Sequence, residues 1–333
     1  MYGEVRIHIR PPKDKEQTMK NISEETRRTL GERIVSKLNL KLLSLCIVVA
    51  AFSVLLYTPL VSAQPILGSA EDFAVLAGTP SITNTGATTI IGDVGISPAA
   101  SITGTETITL TGAYYLADSI ALAAKNDLSK AYTALNNMPV LLGNTLGSQL
   151  GGLTLTSGVY NFSGNPAAVL LNGILTLNAQ GNNNAYWVFQ IPFGLTAGST
   201  LPSSVVVSNI GSNGGVDDGV FFVVGSLANL YGDTSFEGNI LAGASITLEG
   251  GATIMNGRAL AQTGDVTMIN NIIENVCPNG GPGYSGGLEY DTHGNIVAIG
   301  PSSGTTSVPE PTTMLLLGLG LMGLAGVRRK LKN

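Results

Sequence analysis

Two histidines and two cysteines in 333 residues leave this chain short of the usual chemistry of metals and nucleophiles. His8 lies ahead of a hydrophobic run and His293 in a glycine-rich stretch, so no Cys/His cluster exists for zinc. Cys46 falls in a segment expected to be removed, which leaves Cys277 as a solitary thiol and excludes an internal disulfide framework. Charge is also scarce, at 12% of residues. Residues 64–327 hold Lys125, Lys130 and Arg258 against sixteen acids, a formal −13. That balance excludes nucleic acid as a partner, because phosphates need a basic face, and it disfavours anionic lipid. The positive charge sits at the ends. Residues 1–41 carry ten Lys/Arg against six Asp/Glu, and the last six residues hold Arg328, Arg329, Lys330 and Lys332. The clustered acids or bases of a polysaccharide-cleaving cleft are missing. Arg258 is the one cation in 138–276 and reads as a structural residue capping a coil. Asp217 and Asp218 follow a Ser-Asn-Gly-Gly-Val run and read as a solvated turn, since no further spaced acids follow to make a calcium loop. No catalytic residue, cofactor or metal is expected.

What the chain has is glycine, 43 residues of it, and short alternating apolar runs, which suit an all-β fold with many tight turns. Residues 238–271 repeat themselves: GNILAGASITL returns as GRALAQTGDVTM, opened by Gly238 and Gly257. Residues 221–230 supply a third copy. The copies share an apolar strand, a small-residue corner and an alternating triplet: Leu227, Ala228, Asn229; Ser245, Ile246, Thr247; and Asp265, Val266, Thr267. A period of about 18–20 residues points to a stacked solenoid. The triplet also occurs far upstream as Ser81, Ile82, Thr83 and again as Ser101, Ile102, Thr103. In each, the central residue points inward and its neighbours outward.

Five segments are expected. Residues 1–41 are a basic extension, with translation starting at Met1 or Met19. Residues 42–63 form a signal peptide: the uncharged run 42–57 ends in Val61, Ser62 and Ala63, a small-residue cleavage site before Gln64. An uncleaved anchor is the alternative reading. Residues 64–276 make the β domain, with one helix over 115–137, where Leu116, Ile120, Ala124, Leu128, Ala131 and Leu135 step by four or three behind an Asp118 N-cap. Trp187 and Phe189 are expected to pack between that helix and the strands. Residues 277–307, rich in Gly, Ser and Pro, read as a flexible linker. Residues 308–333 form a tail in which Val308, Pro309, Glu310 and Pro311 precede an apolar run and Arg328, Arg329 and Lys330. The run is short for a membrane span and suits a transient anchor.

That tail resembles the PEP-CTERM sorting signal of Gram-negative bacteria. The resemblance implies recognition by an exosortase, removal of the tail, and delivery to the surface or extracellular matrix. Residues 67–276 resemble the DUF3494 ice-binding family. The likeness rests on Phe236 to Ala242 (FEGNILA), Asn256 to Gly264 (NGRALAQTG), Val266 and Thr267. Gly92 to Pro98 (GDVGISP) and Leu153 to Tyr160 (LTLTSGVY) support it. It implies a right-handed discontinuous β-solenoid, triangular in section, with one long α-helix alongside. It also implies ice binding through one flat face, without catalytic activity.

The residue chemistry fits that implication. Outward residues two apart on a strand lie about 6.5–7 Å apart and neighbouring coils about 4.8 Å apart, so a sheet face becomes a lattice of hydroxyl and methyl groups. Threonine is stiff at χ1, so the lattice is preorganised. The candidate ice-binding residues are Ser81, Thr83, Ser245, Thr247 and Thr267, with Thr79, Ala244 and Thr263 at the corners. A row with Thr88, Thr107 and Thr109 is the alternative face. Asp265 and Leu227 interrupt the first set. The expected function is a secreted antifreeze or ice-recrystallisation inhibitor, acting as a monomer. Signal peptidase and exosortase would be its export partners. The alternative is a structural or adhesive matrix protein, with extracellular polysaccharide as partner.

Overall fold

The computed structural model describes residues 64–299, except 165–166, 278–279 and 282, together with residues 21, 24–30 and 32–33. It divides into two units, Met1–Ser62 and Ala63–Asn333. In the first, the described residues are helical and exposed. Residues 42–63, expected to form a signal peptide, and the tail 308–333, Val308 to Lys330 included, lie outside the described residues.

The second unit is a three-sided parallel β-solenoid. One wall has seven strands, in the spatial order Ala168–Leu171, Gly194–Ala197, Ala228–Leu230, Ile246–Leu248, Val266–Ile269, Ser81–Thr85 and Ser101–Thr103. The other two walls share the long strands Thr234–Ala242 and Thr253–Ala261, whose first halves belong to one wall and second halves to the other. The bend between halves falls where the register shifts, between Glu237 and Asn239. Here the repeat-opening glycines are required. Gly238 has φ +111°, and a Cβ on it would come within 2.5 Å of Val220. A Cβ on Gly257 would lie 1.9 Å from the Gly238 carbonyl, so consecutive corners stack only without side chains.

Chain order and spatial order differ. Residues 73–116 build two coils in one direction. The helix α1, Ser119–Asn136, then runs about 27 Å along one wall and delivers the chain to the far end of the stack. The coils from Thr145 onward wind back until Val266–Ile269 pairs with Ser81–Thr85 and Thr253–Ala261 with Phe73–Ala77. The solenoid is thus closed at an internal seam between segments some 180 residues apart.

Asp118 caps α1 by accepting from the Ala121 N–H at 2.8 Å. Ala121, Ala124, Leu128, Ala131 and Leu135 are buried against the wall, beside Leu76, Val188, Phe221, Val223, Leu241 and Leu260. Leu116 and Ile120, expected on that face, are exposed. Residues 115–116 belong to the last strand of the wall, Tyr114–Leu116, and the helix begins three residues later with Ala121 on its buried stripe. Trp187 and Phe189 also differ from expectation. They face the solenoid interior, and Val188 between them meets the helix cluster, because neighbours on a strand point to opposite sides. Trp187 donates to the Leu155 carbonyl at 3.2 Å. Inside the coils, Tyr160, Phe189 and Phe222 stack at ring-centroid spacings of 5.6 and 4.5 Å, and Phe236 tilts against Phe222 at 4.7 Å.

The stretch expected to be a linker from residue 277 is folded through Ile299. Tyr284 accepts from the Val220 N–H at 2.9 Å, and its N–H donates to Asn256 at 2.8 Å. Leu288–Tyr290 pairs antiparallel with Ile296–Ala298 and with Gln64–Pro65. Leu288 and Tyr290 are buried in the helix-side cluster. Gly286 and Gly287 here serve close packing: a Cβ on Gly286 would lie 2.2 Å from the Asp217 carbonyl oxygen and one on Gly287 2.8 Å from that of Ala185. Cys277 is buried and its thiol is pushed up, chiefly by burial. Arg258 follows the Gly257 corner on an interior strand of the stack. It is fully buried, donating to the Glu71 carbonyl at 2.8 Å and to Asn239 Oδ1 at 2.7 Å, and burial lowers its guanidinium to about 10.

Asp218 is not a solvated turn residue. It is fully buried, accepts from the Ala185 N–H at 2.8 Å through Oδ1, and leaves Oδ2 without a hydrogen-bond partner. Burial raises its carboxyl to about 6, with a smaller contribution from neighbouring Asp217. The folded state therefore holds this proton more tightly than the unfolded state does. The stability it confers is full below the unfolded pKa of about 4 and is lost as pH rises towards 6. Asp218→Asn is expected to be more stable than the parent by about 1–2 kcal/mol at pH 8, with the difference vanishing near pH 4. Urea unfolding at the two pH values checks it. Phe222→Ala removes the ring that touches both Phe189 and Phe236 and is expected to cost about 3–5 kcal/mol in the same assay.

Candidate functional site

The structure brings the upstream and downstream triplets into one surface. In the seven-stranded wall Ala228, Ile246, Val266 and Ile82 point inward and are fully buried. Their C-terminal neighbours form one outward row. Thr196 pairs with Asn229, Asn229 with Thr247, Thr247 with Thr267, Thr267 with Thr83, and Thr83 with Thr103. At about 4.8 Å per strand these six residues span about 24 Å. The N-terminal neighbours form a second row of Leu227, Ser245, Asp265, Ser81 and Ser101.

Five expected residues, Ser81, Thr83, Ser245, Thr247 and Thr267, thus lie side by side and part-exposed. Thr196, Asn229, Ser101 and Thr103 were missed as members. Ser101 and Thr103 are copies of the same triplet. Thr196 sits in Gly194, Leu195, Thr196, whose central Leu195 has the same inward role, so strand register rather than residue identity would have found it.

The corner residues behave differently. The Thr79 hydroxyl donates to the Thr263 carbonyl at 3.1 Å, and the Thr263 hydroxyl donates to the Gly243 carbonyl at 2.7 Å. Both hydroxyl protons are held within the corner ladder and are not presented to the wall. Ala244 lies on the same ladder, its N–H donating to Ser226 at 2.9 Å. On the wall, Ser81 and Thr83 hydroxyls approach at 3.4 Å, Thr267 donates to Asp265 Oδ2 at 3.5 Å, and the Asp265 N–H donates to Ser245 at 3.3 Å.

The alternative row does not form. Thr88 is buried, donating to Asn84 Oδ1 at 2.6 Å, and Thr107 accepts from Asn84 at 2.9 Å, so both serve a coil corner. The wall that carries Thr89 and Thr109 also presents Ile272, Met255, Glu237 and Glu274 among its outward residues.

Among the described residues of the solenoid unit, the lysines and arginine, three in all, are engaged elsewhere. Arg258 is buried as described. Lys130 lies 4.2 Å above the Tyr290 ring. Lys125, on α1, donates to the Ala261 and Gln262 carbonyls beside the Thr263 corner, and burial lowers its ammonium to about 8. Among the described residues, no cluster of three His, Cys, Asp or Glu side chains is placed to hold a metal ion.

A parallel solenoid with a row of small hydroxyls on one wall defines a class of protein that binds an extended surface. Comparison with known proteins is specific. A profile described as Ice-binding-like matches residues 75–274, and one described as a PEP-CTERM protein-sorting motif matches 307–330. An ice-binding protein of Nostoc sp. (strain HG1) is 40% identical over 267 residues, covering 79% of this chain and 86% of the relative. The crystal structure of an ice-binding protein from an Antarctic biological consortium superposes with a TM-score of 0.56 at 38% identity, covering 63% of this chain and 91% of the other. That from the ascomycete Antarctomyces psychrotrophicus gives 0.56 at 33% identity, covering 63% and 98%. The chain belongs to the ice-binding-like family.

Lys125 ties the helix to the corner that leads into the wall. Lys125→Ala removes that donor from two carbonyls and is expected to cost about 1–3 kcal/mol. It should also speed amide hydrogen exchange at Gly78 and Thr79, whose N–H groups donate to Gly264 and Thr263 at 2.8 and 2.9 Å. Unchanged exchange at those two amides would exclude this coupling.

Proposed function

We propose that this protein binds ice through the seven-stranded wall and acts outside the cell as an antifreeze or recrystallisation inhibitor. The observation that carries the reading is the row Thr196, Asn229, Thr247, Thr267, Thr83 and Thr103, one residue on each of six consecutive strands in unbroken register, with Leu170 on the seventh. A threonine on a strand has restricted χ1, so its hydroxyl and methyl are already fixed when they meet water, and little rotamer entropy is lost on binding. A lattice of such groups repeating at strand spacing can order a layer of water that then joins the crystal. The names of the relatives and the family match support the same reading.

Export follows from the ends of the chain. A signal peptide over 42–63, cleaved before Gln64, would release the solenoid across the inner membrane. The sorting motif would then hand the tail to an exosortase and place the protein at the surface of a Gram-negative cell or in its matrix. No catalytic step belongs to this function. Purified residues 64–307 are expected to shape ice crystals and show thermal hysteresis. Thr83→Tyr or Thr247→Tyr should lower that hysteresis about tenfold, whereas Thr109→Tyr on another wall should leave it unchanged. Absence of ice shaping at high micromolar concentration would reject the proposal in favour of a structural or adhesive role in the matrix.

A further inference from the structure

Asp265 occupies the middle of the second outward row. The pairings of Val266 with Ile246 and with Ile82 place it between Ser245 and Ser81, with Leu227 beyond the one and Ser101 beyond the other. Every other residue of the two rows is uncharged. The lysines and arginine of residues 64–299 are each committed elsewhere: Lys125 to corner carbonyls, Lys130 to the Tyr290 ring and Arg258 to the Glu71 carbonyl and Asn239.

Resting on the ice-binding reading, the geometry points to Asp265 as the residue that limits the affinity of this wall. A carboxylate holds water in an arrangement set by its charge, and removing that water without an opposite charge is costly. An ice lattice offers it no counter-charge. The carboxylate therefore opposes the transfer of the neighbouring water layer into ice, and it does so at the join between two hydroxyl patches. On one side lie Thr196, Asn229, Ser245 and Thr247; on the other Ser81, Thr83, Ser101 and Thr103. The side chain also accepts from the Thr267 hydroxyl at 3.5 Å, so the one row member on its own strand is turned towards the charge. One coil further on, Ser81 and Thr83 make the corresponding contact at 3.4 Å between two neutral hydroxyls. A serine at 265 would therefore reproduce a geometry that the wall already uses.

The test compares Asp265→Ser and Asp265→Asn with the parent in thermal hysteresis and recrystallisation assays at equal concentration. Circular dichroism melts serve as the folding control. Asparagine retains an acceptor for Thr267 and removes only the charge, so it separates charge from positioning. Both variants are expected to raise hysteresis at least twofold with unchanged melting, and Asp265→Glu is expected not to. Hysteresis equal to or below the parent's in both neutral variants would overturn the inference while leaving the ice-binding reading intact. If the serine variant melts early, the asparagine variant decides alone. A parent protein without ice activity would overturn both.

Discussion

The seam where Val266–Ile269 pairs with Ser81–Thr85 holds the whole arrangement together. Every other step in the seven-stranded wall between Ala168 and Met268 joins strands of successive coils, and the chain itself brings them close. At the seam, two stretches some 180 residues apart meet edge to edge, and the row of threonines crosses it from Thr267 to Thr83. If the pairing slipped by one residue, Ile82 would face solvent and Thr83 the core, because strand side chains alternate. Several contacts oppose such a slip. Thr79 and Gly78 donate to Thr263 and Gly264, the Asn270 side chain accepts from the Ala87 N–H at 2.9 Å, and Asn271 accepts through its backbone carbonyl from Thr89. The helix reinforces the seam from outside through Lys125. The long connection α1 thus makes the solenoid discontinuous and also supplies a clamp for the joint it creates.

Charge distribution follows from the same geometry. A long cation on a wall would add a strongly hydrated group to the lattice. Here the few cations are consumed in structure, one under the terminal segment, one against a ring and one at a corner. The terminal segment matters for this. Residues 283–299 cover a buried polar corner of the coils, with Tyr284 and Gly286 bonded to Asn256, Val220, Asn239 and Asp218. The family match ends at 274, so this cover lies beyond the matched region.

Most of the architecture could be read from sequence because a solenoid writes its period into the chain. The triplets around Ile246, Val266 and Ile82 pointed to strands and inward positions by their alternation, and to a shared face by the recurrence of Ser-Ile-Thr at both ends of the domain. The errors came from contacts that spacing does not encode. Composition made 277–307 resemble a linker, but Gly283, Gly286 and Gly287 are small for the sake of close backbone approach. Asp218 looked like a turn residue because its burial depends on the later segment folding over it. Thr79 and Thr263 were correctly placed at a corner, yet their hydroxyl protons go to carbonyls of the adjoining coil. Thr88 faces inward, in step with Ile90 on the same strand, and its hydroxyl goes to Asn84 Oδ1. Thr196 was invisible to motif reasoning, since its neighbours do not repeat the triplet and only strand pairing aligns it; Asn229 was aligned by the repeat but passed over because it is neither serine nor threonine.

Those last two residues change the physical picture of the surface. A face built from the Ser-Ile-Thr triplets alone would end at Ser245 and Thr247 and would take in only the coils nearest the seam. With Asn229 and Thr196 the same row runs on across the coils that carry the internal aromatic stack, where Phe189 and Phe222 lie in adjacent strands of the helix wall. Stacked rings at fixed register resist sliding of one coil on the next, which keeps outward residues on the third wall in step. Core packing and surface order are therefore one property: the rigidity that holds the coils at constant spacing also holds the hydroxyls at constant spacing. A solenoid needs no cleft or titrating group for such a task, and this accounts for the scarcity of histidine, cysteine and lysine in the folded part of the chain.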